Sequence, residues 1–279
     1  MRPAGPSRRA LAERAQRRRS ALIAGVSSVV VFGAAAALVV QAPGWDEVRA
    51  AFFSGSDLRA SMRDVLPAFT TNVKIFLVAE VLILLLAPAL AVARSSRSPL
   101  LFPVRVLAAV YVDVLRGIPI ILLIFLLGFG VPALRLQGVT NDPLVWGTVA
   151  LVLSYSAYVS EVVRAGIDSV HESQRAAARS LGLSSAQTMR FVVLPQAVRR
   201  VLPPLLNDFI ALQKESALVS ILGVREIARE AQIYTSRTFN FTSYVAAALI
   251  FLAMTIPMTR FTDWLIARQR SRVSTGRLA

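Results

Sequence analysis

Long apolar runs alternate with short polar connections along most of this chain. Six apolar segments stand out, at residues 21–40, 67–93, 106–134, 144–163, 201–223 and 242–266. Each is as long as, or longer than, the roughly 20 residues that an α-helix needs to cross the hydrocarbon core of a bilayer. The pattern predicts an all-α integral membrane protein with about six transmembrane helices.

The first apolar run has no charged residue between Ser20 and Gln41, and it follows a basic tract at 8–20. A cleavable signal peptide has the same order, and Val40-Gln41-Ala42 would fit a cleavage site. The apolar part of a signal peptide usually has about 7–15 residues, so this run better matches a retained anchor. We interpret residues 1–20 as a basic tail and 21–66 as an extra transmembrane helix with an extracytoplasmic connection.

The basic residues predict which side each connection faces. If the N-terminus is cytoplasmic, the cytoplasmic segments carry 21 of the 31 Lys and Arg residues and the opposite side carries 7. Basic residues collect on the cytoplasmic side of membrane proteins. Both termini are therefore predicted to be cytoplasmic, with a second basic tail at 267–279. The net charge of +15 is mostly explained by this distribution, so we expect no nucleic-acid partner.

The composition excludes several kinds of chemistry. The chain has no cysteine and one histidine, His171, so thiol nucleophiles and His-based zinc sites are excluded. Its two lysines, Lys74 and Lys214, do not lie in the G-x-x-x-x-G-K-[ST] context of a phosphate-binding loop. We expect no catalytic residues, no metal and no cofactor bound by this chain.

One basic, Ala-rich stretch interrupts the apolar pattern, from Gln174 to Phe191. Strong helix formers continue to Leu181, and Gly182 follows where a left-handed helix terminator would lie. Ser184 and Gln187 have the spacing of a capping box that starts a second helix. The first helix is too short to be stable alone, so we expect it to dock on a partner. The expected docking face is formed by Ala176, Ala177, Ala178 and Leu181. The alternative is an amphipathic loop on lipid headgroups, but such helices usually carry bulky anchors.

The run from Ala177 to Leu218, AARSLGLSSAQTMRFVVLPQAVRRVLPPLLNDFIALQKESAL, resembles the permease subunits of bacterial ABC importers for polar amino acids. The resemblance extends over residues 67–266, which would form the permease transmembrane domain. It includes three further stretches, at Tyr111–Pro132, Ala157–Val170 and Val224–Phe239. Two positions depart from the family pattern, because Ala176 replaces a glutamate and His171 replaces a proline.

In that family, a loop with a Glu-Ala-Ala triplet and a nearby glycine forms the coupling helix, which contacts a cytoplasmic ATPase subunit. The resemblance therefore implies a coupling region at about 171–190. Its implied contact residues are Gln174, Ala176, Ala177, Arg179, Leu181, Gly182, Leu183 and Ser184.

The resemblance also implies partners and a location. It implies two cytoplasmic ATPase subunits that bind ATP and Mg, an extracytoplasmic substrate-binding protein, and a second permease subunit that is identical or homologous. It places the chain in a bacterial cytoplasmic membrane. The substrate would be a polar or charged amino acid, with glutamate, glutamine, arginine and histidine all open.

Polar residues within apolar spans are costly and usually face a cavity, a partner or a pathway. We expect a substrate pathway lined by Asp113, Arg116, Glu161, Asn207, Asp208, Lys214, Glu215 and Ser216. Asp113 and Arg116 could pair locally, just before a kink at Gly117-Ile118-Pro119. Helical geometry puts Asn207 and Lys214 on one face, and Asp208 and Glu215 on another. The alternative is a structural ion-pair network that joins Lys214, Glu215 and Glu161.

Two other function classes remain open from the residues alone. A self-contained channel or secondary transporter would use the intramembrane carboxylates as ion or proton sites, without ATP. An intramembrane enzyme is the weaker alternative, because no metal cluster or nucleophile–base pair is evident.

Overall fold

The computed structural model describes residues 8–96 and 98–275 of the chain. Residues 1–7 of the predicted N-terminal tail and 276–279 of the predicted C-terminal tail lie outside the described residues, as does Arg97. The chain divides into two compact units, Met1–Ser54 and Gly55–Ala279. The described residues are predominantly α-helical and contain no strand, which confirms the predicted fold class.

The first unit contains helices α1 (Arg8–Val40) and α2 (Trp45–Phe52). Helix α1 continues without a break from the basic tract through the apolar run. Its part Leu22–Val40 is long and apolar enough to cross a membrane, and the apolar side chains described there are exposed.

The second unit contains all the other helices. They are α3 (Gly55–Ser95), α4 (Phe102–Gly117), α5 (Ile120–Phe125), α6 (Val131–Ala133), α7 (Pro143–Asp168), α8 (Glu172–Ser180), α9 (Ser185–Thr188), α10 (Leu194–Glu215), α11 (Ile227–Thr238) and α12 (Thr242–Thr275). Short π-helical segments occur at Leu126–Gly130 and Met189–Val193, and 3-10 segments occur at Pro99–Leu101 and Ser216–Leu222.

By length and hydropathy, four helices in the described ranges could span a membrane, or five if the bent pair Pro99–Gly117 and Ile120–Ala133 is one span. The predicted segment 201–223 is not among them. It is helical, in α10 and the 3-10 segment Ser216–Leu222, but it carries Asp208, Lys214 and Glu215. The estimate of about six spans therefore includes one helix that is too polar to face lipid on its whole circumference.

The expected kink after Gly117 is confirmed. Helix α4 ends there, Ile118 is extended with φ −91° and ψ 126°, and the chain resumes in α5 at an angle of 104°. The residue before a proline is disfavoured from helical geometry by the proline ring, so Pro119 accounts for the extended Ile118.

The core lies where α7 packs against α3 and α10. The 3-10 segment Ser216–Leu222 packs against Gly147 of α7 and Gly128 of the π segment. A Cβ atom added to Gly147 would lie 2.6 Å from Cγ1 of Val219. A side chain at Gly147 would therefore push this segment away from α7, because real Cβ contacts are not that short.

Candidate functional site

Helix α8 ends in a tight turn at Gly182. Gly182 has φ +82°, its N–H donates to the carbonyl of Arg179 (2.9 Å), and the N–H of Leu183 donates to the carbonyl of Ala178 (3.2 Å). These two bonds and the left-handed glycine form a Schellman motif. The predicted helix terminator is confirmed.

Helix α9 begins with the predicted capping box. The Ser184 hydroxyl accepts from the N–H of Gln187 (3.2 Å), and the Gln187 side chain accepts from the N–H of Ser184 (2.8 Å). At the start of α8, Nδ1 of His171 accepts from the N–H of Ser173 (3.2 Å). His171 is thus a helix cap, a role that proline could not fill with its side chain.

The exposed surface of α8 differs from the expected one. Ala178 is only 4% exposed and packs against its own chain, so Ala176, Ala177, Ala178 and Leu181 do not form one docking face. Leu181 is 84% exposed. Of the residues named for the coupling region, Leu183 is half-buried, and the others are exposed: Gln174, Ala176, Ala177, Arg179, Leu181, Gly182 and Ser184.

The pair α8–α9 is held firmly against the membrane helices. The Arg175 side chain donates to the carbonyl of Ile167 at the end of α7 (2.6 Å). Val170 and Val193 are almost fully buried in one apolar cluster. Helix α8 is thus bonded to the end of α7, and the residues that flank the α8–α9 pair share one apolar cluster.

Arg94, at the end of α3, belongs to an ion-pair network that is centred on Glu161. Its guanidinium contacts Glu161 of α7 at 2.6 Å and Asp113 of α4 at 3.9 Å. Glu161 also contacts Arg164 at 2.5 Å and Arg116 at 4.0 Å. The network joins the ends of three helices. Arg94 was not among the expected pathway residues, because a basic residue at the end of a span fits a purely topogenic role.

This network corrects two expectations. Asp113 and Arg116 form no ion pair with each other, because Arg94 and Glu161 reach them from neighbouring helices. Glu161 does not pair with Lys214 either, because three arginines occupy its carboxylate.

Helix α10 carries its polar residues on two faces, as predicted. Asn207 and Lys214 are exposed, whereas Asp208 and Glu215 are half-buried and lie near Tyr155. Glu80 of α3 lies near Asp208. Within residues 8–96 and 98–275, no Lys or Arg side chain forms an ion pair with Asp208, Glu215 or Glu80. The face with Asn207 and Lys214 is a polar surface on a helix within the membrane domain.

Ser216 lies elsewhere, in a fully buried hydrogen-bond network. Asn72 of α3 donates to Glu226 (2.8 Å) and to Ser216 (3.2 Å), and accepts from the N–H of Ile227 (3.1 Å). Glu226 is 0% exposed and caps α11 by accepting from the N–H of Arg229 (2.7 Å). Burial raises the pKa of Glu226, although the hydrogen bond from Asn72 opposes this. An acid in a connection between helices is ordinarily solvated, whereas Glu226 is fully enclosed.

Comparisons with known proteins agree with this arrangement. Residues 89–271 match the family model described as binding-protein-dependent transport system inner membrane component. The probable glutamine ABC transporter permease protein GlnM of Bacillus subtilis is 38% identical over 169 residues, 60% of this chain and 76% of that protein. The arginine transport system permease protein ArtQ of Bacillus subtilis is 32% identical over 197 residues, 70% of this chain and 87% of that protein.

Solved structures give the same result. A crystal structure of an amino acid ABC transporter with histidines is 33% identical, with a TM-score of 0.67 over 75% of this chain and 97% of that chain. The MetNI methionine ABC transporter is 18% identical with a TM-score of 0.59, which concerns the fold alone. The matched residues include α4 to α10 and most of α12. The chain therefore belongs to the family of binding-protein-dependent transport system inner membrane components.

Proposed function

We propose that this chain is the membrane-spanning subunit of an ATP-driven importer for a polar or charged amino acid. The single observation that carries the proposal is the firmly attached pair α8–α9, whose outer surface presents Leu181 at 84% exposure. The relatives named for glutamine and for arginine support an amino acid as the substrate.

ATP hydrolysis belongs to a partner in this proposal, because the chain has no phosphate-binding loop. Two cytoplasmic ATPase subunits bind ATP and Mg, and each contacts the α8–α9 pair of one permease subunit. The contact residues are those of the coupling region, Gln174 to Ser184. Ala176 removes one carboxylate from this contact, and the attachment of α8 to Ile167 through Arg175 keeps the helix in place.

The substrate passes along the polar face of α10. A lysine or asparagine that faced lipid at membrane depth would be costly, so Asn207 and Lys214 face an aqueous path or the second permease subunit. Four acidic residues and one arginine contribute to the same path: Asp113, Glu161, Asp208, Glu215 and Arg116. Ser216 supports the wall of the path from within the buried hydrogen-bond network.

The remaining partners follow from the orientation. With both termini in the cytoplasm, α8 and α9 face the ATPase and α11 faces the extracytoplasmic side, where a binding protein delivers substrate. The chain is a multi-pass protein of the bacterial cytoplasmic membrane, surrounded by lipid and paired with an identical or homologous permease.

Reconstituted transport tests this function. We expect liposomes that contain the chain, its ATPase and its binding protein to accumulate one group of labelled amino acids only when ATP is supplied to the ATPase side. The measurement is uptake of glutamate, glutamine, arginine and histidine with and without ATP. Uptake driven by an ion gradient, without ATP or the binding protein, would instead support a secondary transporter.

Replacing Lys214 by Gln tests the pathway. We expect uptake at sub-saturating substrate to fall about tenfold or more, because a charged hydrogen-bond donor is lost from the path. Lys74→Gln is the matched control, since Lys74 is the other exposed lysine in a membrane helix. An equal loss in both variants would indicate an effect on insertion and would contradict the assigned path.

A further inference from the structure

A cavity of about 450 Å³ lies between the coupling region and the membrane helices. It is formed where the ends of α3 and α7 meet α8 and the start of the helix that leads into α10. Its polar lining consists of four arginines, three hydroxyl residues and one acid, which are Arg94, Arg164, Arg175, Arg179, Ser95, Ser185, Thr188 and Asp168. The carboxylate of Asp168 is paired with Arg164 at 3.0 Å, so the lining keeps an excess of positive charge.

Two hydroxyl groups that line this cavity have no partner. Thr188 is 5% exposed, and its Oγ1 atom has no hydrogen-bond partner among the described residues. The buried Oγ atom of Ser95 is likewise unpaired there. Buried hydroxyls in native proteins are nearly always hydrogen-bonded, since an unsatisfied one destabilises the fold. Two residues of one cavity lining thus carry unpaired hydroxyls, which a ligand that accepts hydrogen bonds could satisfy.

The guanidinium groups around the cavity indicate the charge of that ligand. Arg175 is half-buried and bonds only to the carbonyl of Ile167, with no ion pair to any described carboxylate. Arg179 has a single bond to Glu172 (3.3 Å), and Arg164 is bonded to Glu161 and Asp168. Each guanidinium has five N–H donors in a planar fork, so donors remain for an anion near Arg175.

We propose that this cavity binds a phosphate group, supplied by the headgroup of an anionic phospholipid. A phosphate oxygen cluster suits several arginine forks and hydroxyl donors at once. The cavity also lies at the ends of α3 and α7, at Ser95 and Asp168, which is the depth of lipid headgroups for helices that span the bilayer. A soluble phosphate has the same chemistry, and the test separates the two sources.

The bound phosphate would connect α3 to α8 and α9, which are attached mainly to α7 and to the π segment. It would bridge Arg94 and Ser95 of α3 to Arg175 of α8 and Thr188 of α9. The lipid would thus strengthen the attachment of α8 to the membrane helices. This consequence rests on the proposed function, whereas the binding itself does not.

Ligand-dependent thermal stability of the full-length chain in detergent tests the site. A ligand that binds the folded state raises Tm in a saturable manner. We expect phosphatidylglycerol to raise Tm and phosphatidylcholine, which is zwitterionic, to have little effect. A rise with inorganic phosphate but not with phosphatidylglycerol would overturn the lipid source, and no rise with either would overturn the site.

Two variants and a control test whether the rise in Tm comes from binding in this cavity. Arg175→Gln and Thr188→Val should each weaken the phosphatidylglycerol response, with an apparent affinity about tenfold or more lower for Arg175→Gln. Thr188→Val keeps the shape of the side chain, and its hydroxyl holds no described group, so the fold should persist even if Arg175→Gln unfolds. Arg190→Gln removes the same charge from an exposed position outside the cavity. An equal loss in Arg190→Gln would show non-specific attraction and overturn the proposal. Because binding is measured without transport, failure here leaves the proposed function intact.

Discussion

Replacing Leu181 by aspartate is expected to abolish ATP-driven uptake while the protein stays folded and inserted. Leu181 is 84% exposed and forms the end of α8 next to the Gly182 turn. A large exposed apolar side chain at this place has no structural partner to lose. Removing its apolar surface from water in an interface would favour association. A charge in its place would be buried without a partner when the ATPase docks.

The measurement is uptake in the reconstituted complex, together with co-purification of the ATPase subunits with the variant. Leu136→Asp is the matched control, because Leu136 is 50% exposed in the connection between α6 and α7. In the proposed orientation this connection lies on the opposite side of the membrane. Normal uptake by Leu181→Asp would refute the assignment of α8 as the ATPase contact.

Replacing Glu226 by alanine is expected to lower the free energy of unfolding by about 2–5 kcal/mol. The change removes the cap of α11, and the loss of a cap costs about 0.5–2 kcal/mol. It also leaves the Asn72 amide without its acceptor at 2.8 Å, and an unsatisfied buried group costs about 1–3 kcal/mol. The measurement is thermal or denaturant unfolding of the purified protein.

Asp142→Ala is the matched control for this variant. Asp142 also caps a helix, by accepting from the N–H of Leu144 (2.8 Å), but it is exposed and has no buried partner. Its loss should therefore cost about 1 kcal/mol. Equal losses for Glu226→Ala and Asp142→Ala would show that the buried network contributes nothing beyond capping.

Burial also makes the contribution of Glu226 depend on pH. Its pKa is raised above the ordinary 4.5, so the unfolded chain releases the proton more readily than the folded protein. The contribution of Glu226 to stability is then fully present below about pH 4.5 and decreases as the pH rises through the raised value. The difference in Tm between the protein and Glu226→Gln, measured against pH, should show this decrease. A difference that grows with pH would contradict it.

The same network shows where sequence reasoning stops. Asn72 lies in an apolar run and Glu226 among the charged residues of a connection, 154 positions apart. Each is unremarkable in its own stretch of sequence. Only the packing of α11 against α3 brings the amide to the carboxylate and excludes water from both. The pairing could not be read from charge or periodicity.

The pairing of Glu161 gives a second example. From the sequence, Lys214 was the conceivable partner of Glu161, and the local rule favoured Asp113 for Arg116. In the structure, Arg94 reaches Glu161 from the end of α3, 67 positions away. An ion pair within a membrane domain is determined by which helix ends meet, and hydrophobic periodicity does not contain that information.

The sequence by itself determined two kinds of feature: local hydrogen-bonded turns, and properties that are averaged over long runs of residues. The apolar runs determined the helical membrane class, because about 20 apolar residues in a row have few alternatives to a bilayer or a core. Gly182, Ser184 and Gln187 determined the turn between α8 and α9, since their hydrogen bonds join residues within five positions of each other. Tertiary structure alone decided the exposure of Leu181, the burial of Ala178 and Glu226, and the cavity beside Thr188. These depend on contacts between distant helices, and such contacts arise only when the whole unit packs.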